Sequence, residues 1–240
     1  MTFLNAVQFF LLGALTLVMG VPAILLALLL PGKVRKGKLF FVVSRTYARI
    51  ALWFFRVRVE GRGLANIDRG KPYVFMSNHV SHADSPALAL VISHPLHWVF
   101  KRELANIPVF GWVLLACGQI MVDRSSPEKS KAALEEALSG LSGNNSVMIY
   151  PEGTRSRDGN LQPFKKGGFW MALQMELSLV PVRVSGSREI VPADTLRVSP
   201  GTITVEVFPP IETRGKTPSD IPDLMERVRE AILYGTTGPA

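Results

Sequence analysis

His79 and Asp84 stand five residues apart in the segment Ser77-Asn78-His79-Val80-Ser81-His82-Ala83-Asp84. A turn in this segment folds the carboxylate back onto the imidazole. A carboxylate that accepts from one ring nitrogen fixes the tautomer and leaves the other nitrogen a better proton acceptor. A base held this way contributes about 10²–10⁴-fold in rate. Two histidines and an aspartate also invite a metal reading. However, His79 and His82 are three apart, not four as in a helical His-Glu-x-x-His site, and no glutamate follows His79. No metal is expected here, and His82, His94 and His97 read as structural.

A second candidate is Tyr150-Pro151-Glu152-Gly153-Thr154-Arg155-Ser156-Arg157. Its turn formers explain part of this composition. Gly153 permits unusual backbone angles, and an arginine beside hydroxyls and free amides grips a phosphate through charge-assisted bonds. Glu152 is harder to explain as loop alone. An acid beside a phosphate site is unfavourable unless it accepts hydrogen bonds from substrate hydroxyls or an arginine. Two lesser candidates are Lys101-Arg102-Glu103-Leu104 and the block Gly118 to Arg124. Val180-Pro181-Val182 is apolar and can only pack or line an acyl slot. Cys117, the single cysteine, excludes a disulfide framework and sits in an apolar run that suits packing.

The elements that must hold these groups alternate between strand and helix. Segments 73–76, 96–100, 119–122, 146–150, 180–184 and 202–208 read as strands, and 127–141, 166–177 and 221–234 as helices. Both candidate blocks follow a strand. This alternation predicts an α/β fold with a central, mainly parallel or mixed sheet flanked by helices.

The front of the chain is different. Residues 1–30 hold no charged side chain, and residues 6–30 are almost continuously apolar. That length suffices to cross roughly 30 Å of hydrocarbon. The start lacks the basic residues of a secretory signal. Residues 31–60 then hold eight basic groups and one acid, so +7 of the net +8 falls there. Such a cluster beside an apolar run points to anionic lipid rather than nucleic acid, and to a cytoplasmic side. In 39–59, Arg45 and Arg49 share a helical face among aromatics, a pattern suited to the headgroup layer. Pro22 and Gly20 allow a bend, which leaves a spanning helix and a half-buried hairpin both open.

Taken in order, the four blocks resemble the glycerolipid acyltransferases, among them the bacterial 1-acyl-sn-glycerol-3-phosphate acyltransferases. That family is marked by Asn-His-x-x-x-x-Asp, a Gly-x-Ile-x-Ile-Asp-Arg-like block, Phe-Pro-Glu-Gly-Thr-Arg and an apolar Val-Pro block. Here these are Asn78 to Asp84, Gly118 to Arg124, Tyr150 to Arg155 and Val180 to Val182, with Tyr150 in place of phenylalanine. The resemblance implies His79 as general base with Asp84 as its partner. It also implies Glu152, Gly153, Thr154 and Arg155 on the acyl acceptor, with Arg155 on its phosphate, and Lys101 and Arg124 as further contacts. It implies lysophosphatidic acid as acceptor, acyl-CoA or acyl carrier protein as donor, phosphatidic acid as product and no cofactor.

The implied organisation is a membrane-anchoring two-helix element over residues 1–58 and a catalytic α/β domain over 59–240. The resemblance favours a hairpin in one leaflet, at the cytoplasmic face of a bacterial inner membrane. A thioester is activated enough that one positioned base suffices without a covalent intermediate, and no Gly-x-Ser-x-Gly elbow surrounds Ser77 or Ser81. Competing readings are acylation of glycerol 3-phosphate or another lysolipid, a membrane-bound metal-dependent hydrolase on His79, His82 and Asp84, and a non-catalytic lipid-binding protein.

Overall fold

The computed structural model describes residues 3–30, 32–123, 145–192, 195 and 197–235. The helix expected over 127–141, and Arg124 with it, lie outside the described residues. Two long helices come first, α1 (Phe3–Leu29) and α2 (Lys33–Phe54). α1 continues through Pro22, and from Ala6 to Leu29 its mean hydropathy is 2.4, long and apolar enough to cross a membrane. Its outward side exposes Phe10, Val18, Leu25 and Leu28.

The strands are β1 (Val57–Arg62), β2 (Val74–Ser77), β3 (Leu96–Lys101), β4 (Ile120–Val122), β5 (Ser146–Ile149), β6 (Leu179–Ser185) and β7 (Gly201–Val207). They form one sheet in the order β1-β7-β6-β2-β5-β3-β4. The β6–β7 pair is antiparallel and all the others are parallel, so the α/β expectation of a mixed sheet holds. β1 is an addition to the sequence reading. Its Val57 is buried while Arg58, Glu60, Gly61 and Arg62 are exposed, as suits a strand that among the described residues is held by β7 at the sheet edge.

Successive side chains of a strand point to opposite faces, and the core divides accordingly. Phe75 and Met148 join Leu52, Phe55, Leu88 and Ile92 on one face. Val74, Met76, Val147 and Ile149 meet Phe169, Leu224 and Val228 on the other. The helices covering the sheet are α3 (Asp84–Val91), α4 (Phe110–Ala116), α5 (Gly167–Gln174), the single turn α6 (Ser187–Ile190) and α7 (Ile221–Tyr234). α7 buries Ile221, Leu224, Val228 and Ala231 at helical spacing and ends at Gly235 in the left-handed region.

A third apolar cluster joins Ala27 of α1 and Phe40 of α2 to Val113 and Leu114 of α4, with Cys117 sealed inside. Polar ties complete the attachment: Gln8 Nε2 donates to the carbonyl of Phe54 at 2.9 Å. Arg45 Nη1 donates to the carbonyls of Ala89 and Ile92, each at 3.1 Å. Arg45 was expected to reach towards headgroups. It instead caps the open carbonyls at the end of α3, where a cation is favoured.

Candidate active site

Register decides which loops meet. β2 pairs with β5 through Met76↔Ile149 and with β6 through Ser77↔Val182. The loop after β2 and the turn after β5 therefore leave the same sheet edge side by side, at the carboxyl ends of parallel strands where α/β sheets hold ligands. Asn78 locks the first loop to β6: its Nδ2 donates to the carbonyl of Val184 at 2.9 Å, and its Oδ1 accepts from the Val184 N–H at 2.8 Å.

His79 Nδ1 lies 2.8 Å from Asp84 Oδ2. An ionised carboxylate only accepts, so Nδ1 carries the proton and Nε2 keeps its lone pair. Asp84 is fully buried at the first turn of α3, where the helix dipole favours a negative charge. Its Oδ2 also accepts from the N–H groups of Val80 and Ser81, both at 2.8 Å. Oδ1 is buried with no partner among the described residues, a desolvation cost carried by the dyad. Ser81 is held structurally: its hydroxyl donates to the carbonyl of Val191 at 2.7 Å. The His79 side chain remains 19% exposed, enough for its outer nitrogen to meet a ligand.

Sequence reasoning missed the surface under the ring. Tyr150 stacks on His79 with centroids 3.8 Å apart and planes 12° from parallel. The Tyr150 hydroxyl meets Ser85 Oγ at 2.9 Å, next to Asp84. Burial, and then the charge of Asp84, push this phenol well above its usual pKa, so it stays neutral. An aromatic face of this kind can stabilise a cation held against it. An aromatic ring at this position, tyrosine here and phenylalanine in the family pattern, was the available signal.

The second block forms a tight turn against the first. Glu152 is only 3% exposed. Its Oε1 accepts the His79 N–H at 2.7 Å and its Oε2 the Gln162 N–H at 2.8 Å. Burial raises its pKa, and the two N–H bonds work against that rise. The Ser156 N–H closes the other side by donating to the carbonyl of His79 at 2.8 Å. Gly153 has φ +74°, and a Cβ there would lie 3.0 Å from Lys165 Cε, so both backbone and neighbour favour glycine. Lys165, an exposed cation that sequence reasoning did not single out, thus lies across the turn.

Arg155 Nη1 donates to His82 Nε2 at 2.6 Å. Burial first, and then the guanidinium, hold His82 below its usual pKa, which keeps it a neutral acceptor. His82 was read as structural; it belongs to the arginine's surroundings. Thr154 is exposed on the turn. Lys101 ends β3, exposed, two strands across from β2. His94 and His97 are buried against the carbonyls of Asp68 and Gly118. Val180 and Val182 are fully buried in the core. The arrangement therefore presents one exposed imidazole nitrogen beside a cationic turn, as proton abstraction next to a bound anion requires.

A family model described as Acyltransferase matches residues 57–185. The 1-acyl-sn-glycerol-3-phosphate acyltransferase alpha of Homo sapiens is 33% identical over 182 residues, covering 75% of this chain and 64% of that protein. The chain thus spans less than two thirds of that relative's length. The 1-acyl-sn-glycerol-3-phosphate acyltransferase of Limnanthes douglasii is 30% identical over 235 residues, 97% of this chain and 83% of that one. The crystal structure of the 1-acyl-sn-glycerophosphate acyltransferase PlsC from Thermotoga maritima has the same fold, with a TM-score of 0.79 at 21% identity over 97% of this chain and 92% of the other. With the family model covering more than half of its length and the plant relative matched over most of both chains, this chain belongs to the acyltransferase family.

Proposed function

We propose that this protein transfers a fatty acyl group from an acyl thioester to the sn-2 hydroxyl of lysophosphatidic acid, giving phosphatidic acid. The observation behind this reading is the 2.8 Å contact of His79 Nδ1 with buried Asp84, on the same sheet edge as the Glu152–Arg155 turn. His79 Nε2 takes the hydroxyl proton as the oxygen attacks the thioester carbonyl. The tetrahedral intermediate collapses with cleavage of the carbon–sulfur bond, and the imidazolium returns the proton to the departing thiolate. Asp84 holds the tautomer throughout and stabilises the imidazolium.

Arg155 binds the acceptor phosphate, with Gly153, Thr154 and the nearby Lys165 completing a cationic cradle. Glu152 serves the acceptor by shaping this turn, since both of its oxygens hold backbone N–H groups. Lys101 and Arg124 are further acceptor contacts. Acyl-CoA or acyl carrier protein is the donor, without a cofactor. Helices α1 and α2 anchor the α/β domain, whose sheet begins with β1 at Val57 rather than at the expected residue 59, at the cytoplasmic face of a bacterial inner membrane. Both acceptor and product are membrane lipids, which matches the apolar outer side of α1.

The test is a panel of labelled acyl-CoA and acyl carrier protein against lysophosphatidic acid, glycerol 3-phosphate and a phosphate-free lysolipid. Lysophosphatidic acid is expected to turn over fastest; equal or faster acylation of glycerol 3-phosphate overturns the assignment. Arg155→Ala should raise KM for the phosphorylated acceptor by about tenfold or more, one charge-assisted contact contributing about 1.5–3 kcal/mol. An equal loss on the phosphate-free lysolipid would give Arg155 another role.

A further inference from the structure

Outside α1 and α2, the exposed large apolar side chains among the described residues are Leu64, Leu233, Tyr234 and a group between residues 107 and 121. That group comprises Ile107, Phe110, Trp112, Leu115 and Met121, with Trp112 52% and Leu115 45% exposed. Trp112 and Leu115 are three apart on α4 and share a face, while Val113 and Leu114 are buried on the other. The buried face is the one that receives the first helix. A Cβ on Gly20 of α1 would lie 2.6 Å from Val109 Cγ1 and 3.2 Å from Val113 Cγ2, so the two helices touch along that glycine. α1, apolar on its outward side, thus packs on a helix of the α/β domain whose other face is exposed and apolar.

Topology places this face near the chemistry. The chain leaves the carboxyl end of β3 at Lys101, makes a 3₁₀ turn over Arg102–Asn106 and enters α4. β3, β5 and β2 run parallel, so this is also the edge from which the His79 loop and the Glu152 turn emerge. Exposed Lys101 and Arg102 begin the turn, the latter bonded to Asp123 at 3.0 Å. An apolar face with a tryptophan, bordered by cations, suits the boundary between acyl chains and anionic headgroups.

We infer that α4 is a second lipid-contacting surface, in which Trp112 and Leu115 enter the bilayer beside α1 and hold the His79 edge of the sheet against the membrane. An acceptor lipid then reaches the base without withdrawing its tail from the leaflet. The lipid contact rests on the exposed apolar face of α4 and on the packing of that helix against α1. Only its kinetic consequence rests on the acyl-transfer reading.

The full chain is mixed with equimolar phosphatidylcholine–phosphatidylglycerol vesicles containing brominated acyl chains, and its tryptophan quenching is compared with that of Trp112→Phe. The quenched signal should fall in Trp112→Phe; equal quenching in the two proteins overturns the proposal. In the same vesicles, Trp112→Ser with Leu115→Ser should slow acylation of long-chain lysophosphatidic acid about tenfold, membrane binding scaling with buried apolar area. Acylation of a short-chain, water-soluble lysophosphatidic acid should not change. Equal losses on both acceptors would assign the pair to folding, and no loss on either would remove the surface from function. A wild-type protein that acylates neither acceptor defeats the acyl-transfer reading, while the quenching comparison still decides the lipid contact.

Discussion

The loop from Asn78 to Asp84 and the helix α1 are held in place by opposite means. In the loop, both polar atoms of the Asn78 amide, the backbone N–H groups of His79, Val80 and Ser81 and the Ser81 hydroxyl have specific partners at 2.7 to 2.9 Å. Each of these groups would be costly to leave unpaired in a dry interior, so the loop has one geometry. Among the described residues, Gln8 and Thr16 supply the polar side-chain contacts of α1 with the rest of the molecule. It turns Phe10, Val18, Leu25 and Leu28 outward. Apolar burial is non-directional, so such a helix can be retained by a bilayer without a unique orientation. On the proposed function, chemistry belongs to the hydrogen-bonded region and retention to the apolar one, and substitutions should separate them.

The largest effect is expected from Asp84→Asn. The amide places a donor where three donors converge on Oδ2 or presents the wrong tautomer to the ring, and kcat for acyl transfer should fall about 10²–10⁴-fold. Vesicle co-sedimentation should be unchanged, and a kcat within a few-fold of wild type would break the comparison at its catalytic end. Glu152→Gln comes next. One of its two oxygens becomes an NH₂ group facing an N–H, which should cost about 1–3 kcal/mol of stability and loosen the His79 loop. A thermal melt unchanged from wild type would show the two loops to be held by something else. The smallest effect on folding belongs to Phe10→Ser with Val18→Ser, within about 0.5 kcal/mol in detergent. The same pair should weaken retention on vesicles; unaltered sedimentation would move the anchor to the basic start of α2.

The chemical groups were legible in the sequence because their types are conspicuous: a histidine and an aspartate five apart, and a glutamate beside a glycine and an arginine. Their contacts were less so. The Tyr150–His79 stack and the Arg155–His82 bond join residues 71 and 73 positions apart, and both follow from the register of β2 on β5. Nothing local encodes that register. β1 was hidden for a related reason: its valines alternate with charges at an edge, and its strand partner among the described residues lies more than 140 residues on. Arg45 misled because its spacing from Arg49 is that of any amphipathic helix, and its target, the end of α3, exists only in the folded chain.

That arginine also sets a distance. α3 has eight residues and so is about 12 Å long. Asp84 begins it and Arg45 clasps its far end. The helix therefore works as a strut between α2 and the dyad. On the proposed function, a change in the depth or tilt of α2 would be delivered along this strut to the carboxylate bonded to the imidazole, coupling the height of the molecule at its support to the aim of its base.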